Sequence, residues 1–311
     1  MAKYYATIAG LPNLGVEDRK LPFSSAYFVE ELSQELTPRD RHLLNILRWE
    51  RENRYLIRFL EQEEEAKASN EQPQLFSYDQ IATALHALRQ REPLPKSIFL
   101  PAYVINFLKA TQVEPTEEEV EKEKEKEELL DDEERRYHYP TRLEDRLAEY
   151  YYDYAISCGN QFIEAWSKFN RTLRNILAAE VGKELGWDIR TYIVGNSPIE
   201  KKLRASSGNS LGIDEEDITE LRQIQAILAE KDITRRERMI DQLRWNWLED
   251  VTFDRIFDVE ALLAYYLRLC IVERWTSLNE KKGEATFRHI VASLKKESNE
   301  SLEEFKKNQK K

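Results

Sequence analysis

The sequence predicts a nearly all-α protein built of repeated helical units, with Tyr4–Ile8 as its one short strand candidate. Three observations carry that expectation. Helix-capping signatures recur along the whole chain. Glycine is 9 of 311 residues, under half the usual share. After Pro198 no proline occurs in the remaining 113 residues, so nothing there forces a long helix to break.

The elements follow in order. Phe23-Ser24 with Phe28 has the spacing of a hydrophobic staple around a serine cap, opening a helix through Leu36. Thr37-Pro38-Arg39-Asp40 supplies a cap, a proline at the first helical position and an acid in the first turn. Leu43, Leu44, Leu47, Leu56 and Leu60 then mark an apolar stripe. Ser77-x-x-Gln80 is a capping box for a helix bearing Ile81, Leu85 and Leu88. Pro93, Pro95 and Pro101 break the chain before another apolar stretch, Ala102–Leu108.

Residues 114–136 hold 13 acids against 5 bases and offer little to bury. They read as a solvated helix or linker rather than an acidic docking arm. This sets the expected division: an N-terminal helical unit at 1–112, an acidic linker at 113–138, and a C-terminal helical unit at 139–311 ending in a Lys-rich tail.

The second half restarts at Thr141-x-x-Glu144, a capping box for a long helix carrying Tyr150, Tyr151, Tyr152 and Tyr154. Gly159 is placed to kink it, and Gly182 or Gly186 to end it. Residues 188–213 read as irregular, with turn clusters at 195–198 and 206–209. Asp214 is expected to start a helix bearing Ile218, Leu221, Ile224 and Leu228. Thr234-x-x-Glu237 caps the next, Asp258 caps Val259–Leu278, and Gly283 precedes a final helix.

One internal echo stands out. Trp49, Asn53, Leu56 and Leu60 recur as Trp166, Asn170, Leu173 and Leu177, an offset of 117. Steps of 0, 4, 7 and 11 lie along one helix face. The echo suggests a duplicated helical unit, with Trp49, Asn53, Trp166 and Asn170 as its structural residues. A buried asparagine needs partners, since an unpaired amide costs ~1–3 kcal/mol. The end or loop of a neighbouring helix is the expected partner.

Charge and motif content exclude several classes. Lys and Arg number 47, Asp and Glu 58, a net charge of −11 that repels nucleic acid over most of the surface. A chain so poor in glycine is an unlikely Rossmann, P-loop or β-barrel protein, and neither phosphate-binding glycine motif occurs. Cys158 and Cys270 sit in apolar helical contexts and read as buried, inert thiols of a reducing compartment. Met1–Leu14 lacks the apolar core of a signal peptide. The longest apolar run, Ala261–Leu267, is far short of the ~20 residues that span a bilayer. A cytosolic chain with at most peripheral membrane contact is expected. His42, His86, His138 and His289 stand at no ligand spacing, and no catalytic motif appears. No catalytic, cofactor-binding or metal residue is therefore assigned, and residue chemistry alone names no activity.

A resemblance goes further. Tyr4-Tyr5-Ala6-Thr7-Ile8-Ala9-Gly10-Leu11-Pro12-Asn13-Leu14 looks like an N-terminal signature. Asn53-Arg54-Tyr55-Leu56, Ile240–Trp245, Ala264–Leu269 and Glu273-Arg274-Trp275 continue the pattern. Together they resemble a poorly characterised bacterial family whose genes accompany those of V/A-type ATPases. That family is similar to the C-type component of the ATPase central stalk (the d-type component in eukaryotes). The resemblance implies a non-catalytic, all-helical coupling socket between rotor shaft and membrane ring, without cofactor. Its partners would be other V/A-type ATPase subunits, on the cytoplasmic face of the membrane. The alternative is a helical adaptor or assembly factor that leaves the finished complex. The C-type stalk component repeats its pattern in three helical units, whereas two are legible here.

Overall fold

A computed structural model describes residues 4–18, 20–118, 120–122, 140–206, 211–255 and 257–278. The expected final helix after Gly283, His138, His289 and most of the acidic segment lie outside them. Among the described residues the regular structure is helical throughout, without strands. The all-α expectation holds.

The chain divides into two compact units, one formed by 37–240 and the other by 1–36 with 241–311. This is not the expected division. The acidic segment falls inside the larger unit, because the helices on either side of it share one core.

In the larger unit, α3 (Pro38–Glu61) starts as expected, with Thr37 capping the Asp40 amide and Pro38 at its first position. The short α4 (Glu63–Ala68) leads into α5 (Tyr78–Arg89), whose Ser77/Gln80 capping box forms in both directions. α6 (Ala102–Gln112) and α7 (Leu143–Ile156) then pack together and against α3. Tyr151 of α7 donates its hydroxyl to the Ile46 carbonyl at 3.2 Å, and Leu44, Leu47, Phe107, Leu108 and Leu147 are buried around it. α8 (Gln161–Glu184) lies against α7, opened by Asn160, which accepts from the Ile163 amide. A 3-10 turn (Ile189–Thr191), α9 (Pro198–Ala205) and α10 (Leu221–Ala229) complete the unit, with the first residues of α11 (Ile233–Thr252).

Several boundaries depart from expectation. α7 begins at Leu143 after an extended Arg142, which pairs with Glu144 at 3.2 Å, so the Thr141 box does not form. Gly159 separates two helices rather than kinking one: its φ of +77° is a conformation a helix cannot continue. Gly186, at φ +68°, ends α8, and the following Trp187 amide reaches back to the Gly182 carbonyl. Gly182 itself stays helical and packs on Ile189. Asp214 caps a turn over 214–217 instead of a helix, and α10 starts at Leu221. Asp232 caps the Arg235 amide, displacing Thr234. Cys158 sits in the turn after α7, half-buried, rather than within a helix.

The second unit holds α1 (Tyr5–Ala9), α2 (Ser25–Glu35), the end of α11 and α12 (Val259–Ser277). Tyr4–Ile8 is thus helical, a correction to the strand expectation. A single turn satisfies its own amides (Ile8 to the Tyr4 carbonyl at 2.9 Å), which an unpaired strand could not do. The staple forms as expected: Phe23 and Phe28 stack at 5.9 Å, and Ser24 accepts from Tyr27. α12 is buried almost all round, with Leu262, Leu263, Ala264, Leu269 and Val272 closed to solvent. Asp258 stands at its N-cap but makes no side-chain capping bond.

Candidate functional site

The four residues singled out by the internal echo are all placed in helix interiors. Trp49 is buried, stacked on Phe76 at 5.5 Å and met edge-on by Tyr103. Asn53 accepts a 2.7 Å bond from the Tyr103 hydroxyl. Trp166 is buried beside Phe169. Asn170, also buried, donates to the Trp166 carbonyl of its own helix at 2.9 Å. None of these asparagine bonds goes to a helix end or loop. The two helices match in length, but Trp49 is the twelfth residue of α3 and Trp166 the sixth of α8.

Among the described residues of the larger unit a dense polar site lies elsewhere, at the junction of α7, α8 and α9. Asp145, Glu149 and Asp153 step by four along one face of α7. Arg171, Arg174 and Asn175 share a face of α8, and Glu200 and Arg204 are one turn apart on α9. Arg174 pairs with Asp145, and Arg171 lies 3.3 Å from Asp153. The Arg171 Nε is 3.4 Å from Glu200, close enough for attraction without hydrogen-bond alignment. Glu200, closed to solvent, also accepts from the Ser197 amide at 2.7 Å.

Asn175 is the hub. Its amide donates to the Val194 carbonyl at 2.8 Å, and its oxygen accepts from the Val194 amide at 2.9 Å. It therefore closes both backbone groups of a buried loop residue, the kind of bond expected of Asn53 and Asn170. Next to it Gly195 has φ +90°, and a Cβ there would stand 2.9 Å from the Arg171 guanidinium carbon. Only glycine lets the loop approach that cation. Arg204 donates to the Ile193 carbonyl at 2.9 Å and to the Gly195 carbonyl.

Electrostatically the junction holds more carboxylates than guanidiniums around Gly195: Glu149, Asp153 and Glu200 face Arg171 and Arg204. Burial, and then the Asp153 charge, push the Glu149 carboxyl up to about 7, against the pull of the Gly195 backbone and both arginines. Burial also raises Asp153 and Asp145 and lowers Arg204 to about 10. Glu149 thus exchanges a proton near neutrality. The chemistry of the rest is cohesion: charges on three helices neutralise each other through a glycine loop.

The sequence carried a signal for this site. Ser197-Pro198-x-Glu200 repeats the logic of Thr37-Pro38-x-Asp40, yet 188–213 read as irregular because its turn residues outweighed that cap.

The tyrosine group resolves into packing and a groove. Tyr152 donates to Glu50 at 3.1 Å, and Tyr154 meets His42. Between α3 and α7 lies an open groove of about 470 Å³, floored by Ile57, Leu147 and Tyr151 and edged by Asn53 and Glu50. Trp166 does not line it.

In the second unit the resemblance segments other than Asn53-Arg54-Tyr55-Leu56 come together. Asp241, at 2% exposure, receives the Trp275 indole N–H at 2.8 Å and lies 3.3 Å from both Arg274 and Arg244. Arg268 lies over the Trp245 ring at 5.6 Å. Glu273 accepts from the Ser25 amide at 3.1 Å, and Tyr265 donates to the Pro12 carbonyl at 3.0 Å. Among the described residues no group of three or more His, Cys, Asp or Glu is placed to hold a metal ion, and no helix is long and apolar enough to cross a membrane.

No curated protein and no solved structure matches the chain. A family model does match, over residues 1–298, so the chain belongs to the family described as Protein of unknown function (DUF2764).

Proposed function

We propose that this chain is a non-catalytic coupling part of a bacterial V/A-type ATPase, a socket between rotor shaft and membrane ring like the C-type (eukaryotic d-type) stalk component. One observation supports this most. The segments that carry the resemblance near the two ends of the sequence brace one unit, while Asn53-Arg54-Tyr55-Leu56 lies in the larger one. Pro12 is tied to Tyr265, and Asp241 to Arg274 and Trp275. Their polar groups turn toward each other across helices. The junction around Asn175 in the larger unit follows the same pattern. A part that passes force between two others needs this kind of cross-bracing.

Retrieval of a tagged chain from native membranes tests the reading. The expected result is co-purification of ATPase rotor proteins, with the chain migrating in the intact complex on a blue-native gel. Recovery without any part of the ATPase refutes it. Migration only in sub-complexes assigns the chain to assembly instead.

A further inference from the structure

The second unit carries an exposed aromatic loop that its own core does not use. Phe253, in the turn just after α11, is 87% exposed, and Phe257 and Tyr5, in contact with each other, are also exposed. A solvent-facing phenylalanine leaves on the order of 150 Å² of apolar surface in water. The loop's described residues are nevertheless tied to the rest of the unit. The Phe257 carbonyl accepts from the Tyr4 amide at 3.0 Å, and the Tyr5 and Phe257 rings touch with centroids 4.4 Å apart. The Arg255 amide closes a turn onto the Thr252 carbonyl at 3.1 Å. The exposed rings are thus presented on a braced loop, which lowers the ordering cost of binding.

Its charge is one-sided. Each phenylalanine is followed at once by an aspartate: Phe253-Asp254 and Phe257-Asp258. The one base between them, Arg255, is 3.6 Å from the buried Glu260. The carboxylates of Asp254 and Asp258 therefore set the local field.

We propose that Phe253, Asp254, Phe257 and Asp258, with Tyr5, dock another protein, one that offers an apolar pocket rimmed by lysine or arginine. Charge complementarity selects this occupant. A second copy of the chain would bring the same aspartates against each other. An anionic bilayer would repel them. Aromatic anchors with a polar, charged rim are the composition of an interface hot spot. The proposal does not rest on the ATPase reading, because the loop's chemistry specifies the partner's surface and not its identity.

The test places the photo-reactive residue p-benzoylphenylalanine at Phe253 of the full chain in its native cells, with the same residue at the exposed Phe99 of the larger unit as control. The adduct is sequenced, and the captured segment is synthesised as the binding probe. The expected segment belongs to another protein and sets apolar residues among lysine or arginine. Its affinity falls by roughly tenfold or more in Phe253→Ala. It falls also in Asp254→Lys and with rising salt. Asp258→Asn, which keeps a capping residue, weakens it more mildly. An unchanged melting temperature in Phe253→Ala shows that the loss is not unfolding. An adduct with this chain, a second copy or lipid overturns the proposal. So does a captured segment without bases, one captured equally from Phe99, no adduct, or affinity indifferent to these variants. A basic partner from outside any ATPase would leave this proposal standing, and the ATPase reading is decided separately by the tagged-chain retrieval.

Discussion

Glu149→Gln should change how stability depends on pH, and the junction around Gly195 gives the size. In the folded chain burial and Asp153 push the Glu149 carboxyl from 4.5 up to about 7. A carboxyl whose folded value is raised holds its proton more tightly folded than unfolded. Its stabilising contribution is complete below pH 4.5, falls as pH rises toward 7, and stays lost above. The rise from 4.5 to about 7, at about 1.4 kcal/mol per pH unit, sets a change of about 3 kcal/mol across that window. For a unit spanning 37–240, each kcal/mol moves Tm by roughly 2–4 °C, so the change is worth roughly 6–12 °C. Glutamine keeps the shape and carries no charge at any pH. Asp145 and Asp153, raised by burial, contribute slopes of the same sign in both proteins and cancel in the difference. Melting wild type and Glu149→Gln at pH 5 and pH 8 therefore isolates one group. The variant should gain on wild type at pH 8 and lose that gain at pH 5. A constant gap between the two proteins at both pH values refutes the argument that Glu149 is a strained carboxylate.

The remaining predictions concern single contacts. Gly195→Ala should cost about 2–3 kcal/mol, from a positive φ and a Cβ 2.9 Å from Arg171. Gly159→Ala, also at positive φ but facing open space, should cost only about 1 kcal/mol; urea unfolding of both checks the difference. Asn175→Ala strands a buried backbone N–H and C=O and should cost about 2–3 kcal/mol, against about 1 kcal/mol for Asn53→Ala; equal losses would put the hub elsewhere. Asp241→Ala should destabilise the second unit by about 3 kcal/mol and shift Trp275 fluorescence, while Asp241→Asn, keeping an acceptor for the indole, should spare most of the fluorescence change.

The fold was legible where local chemistry and packing agreed. Thr37-Pro38, Ser77/Gln80 and the Phe23/Phe28 staple work within five positions of the chain and form as read. Tyr4–Ile8 has an alternating pattern, but a strand needs a neighbour that only the tertiary structure could supply, and none is present among the described residues. The division at 113–138 failed for a related reason. Composition marks where chain is solvated, whereas a unit is defined by which apolar faces close on each other. Tyr103 of α6 and Tyr151 of α7 meet across the expected boundary, with ring centroids 5.7 Å apart. The echo of Trp49 and Trp166 falls on two helix stripes whose tryptophans are buried, with Asn53, Leu60 and Leu177 half-buried. It could not show that Asn53 looks toward a tyrosine and Asn170 toward its own backbone, because rotamers and neighbours are not written in spacing.

The buried charges carry a further argument about stiffness. Exchanging a buried ion pair for well-packed hydrophobic residues is often neutral or stabilising, so such pairs are not retained for stability alone. Their distinguishing property is intolerance of partial loss, since removing one partner leaves the other buried and unpaired. At the α7–α8–α9 junction, Arg171 answers to Asp153 and Glu200 at once, and the Gly195 loop closes directly on that guanidinium. Around Asp241, two arginines and an indole converge on one carboxylate. Each site therefore resists small slides of one helix past another more than a greasy contact would. Apolar surfaces can shift register with little penalty, but a three-way polar junction has one satisfied arrangement. One such junction lies in each unit. A double-mutant cycle on Arg171→Met and Glu200→Leu gives the direct measure. Each single change should destabilise by more than the pair together, with a coupling of about 1–3 kcal/mol. Additive losses would mean that the charges are merely tolerated, and the case for stiffness would fall with them.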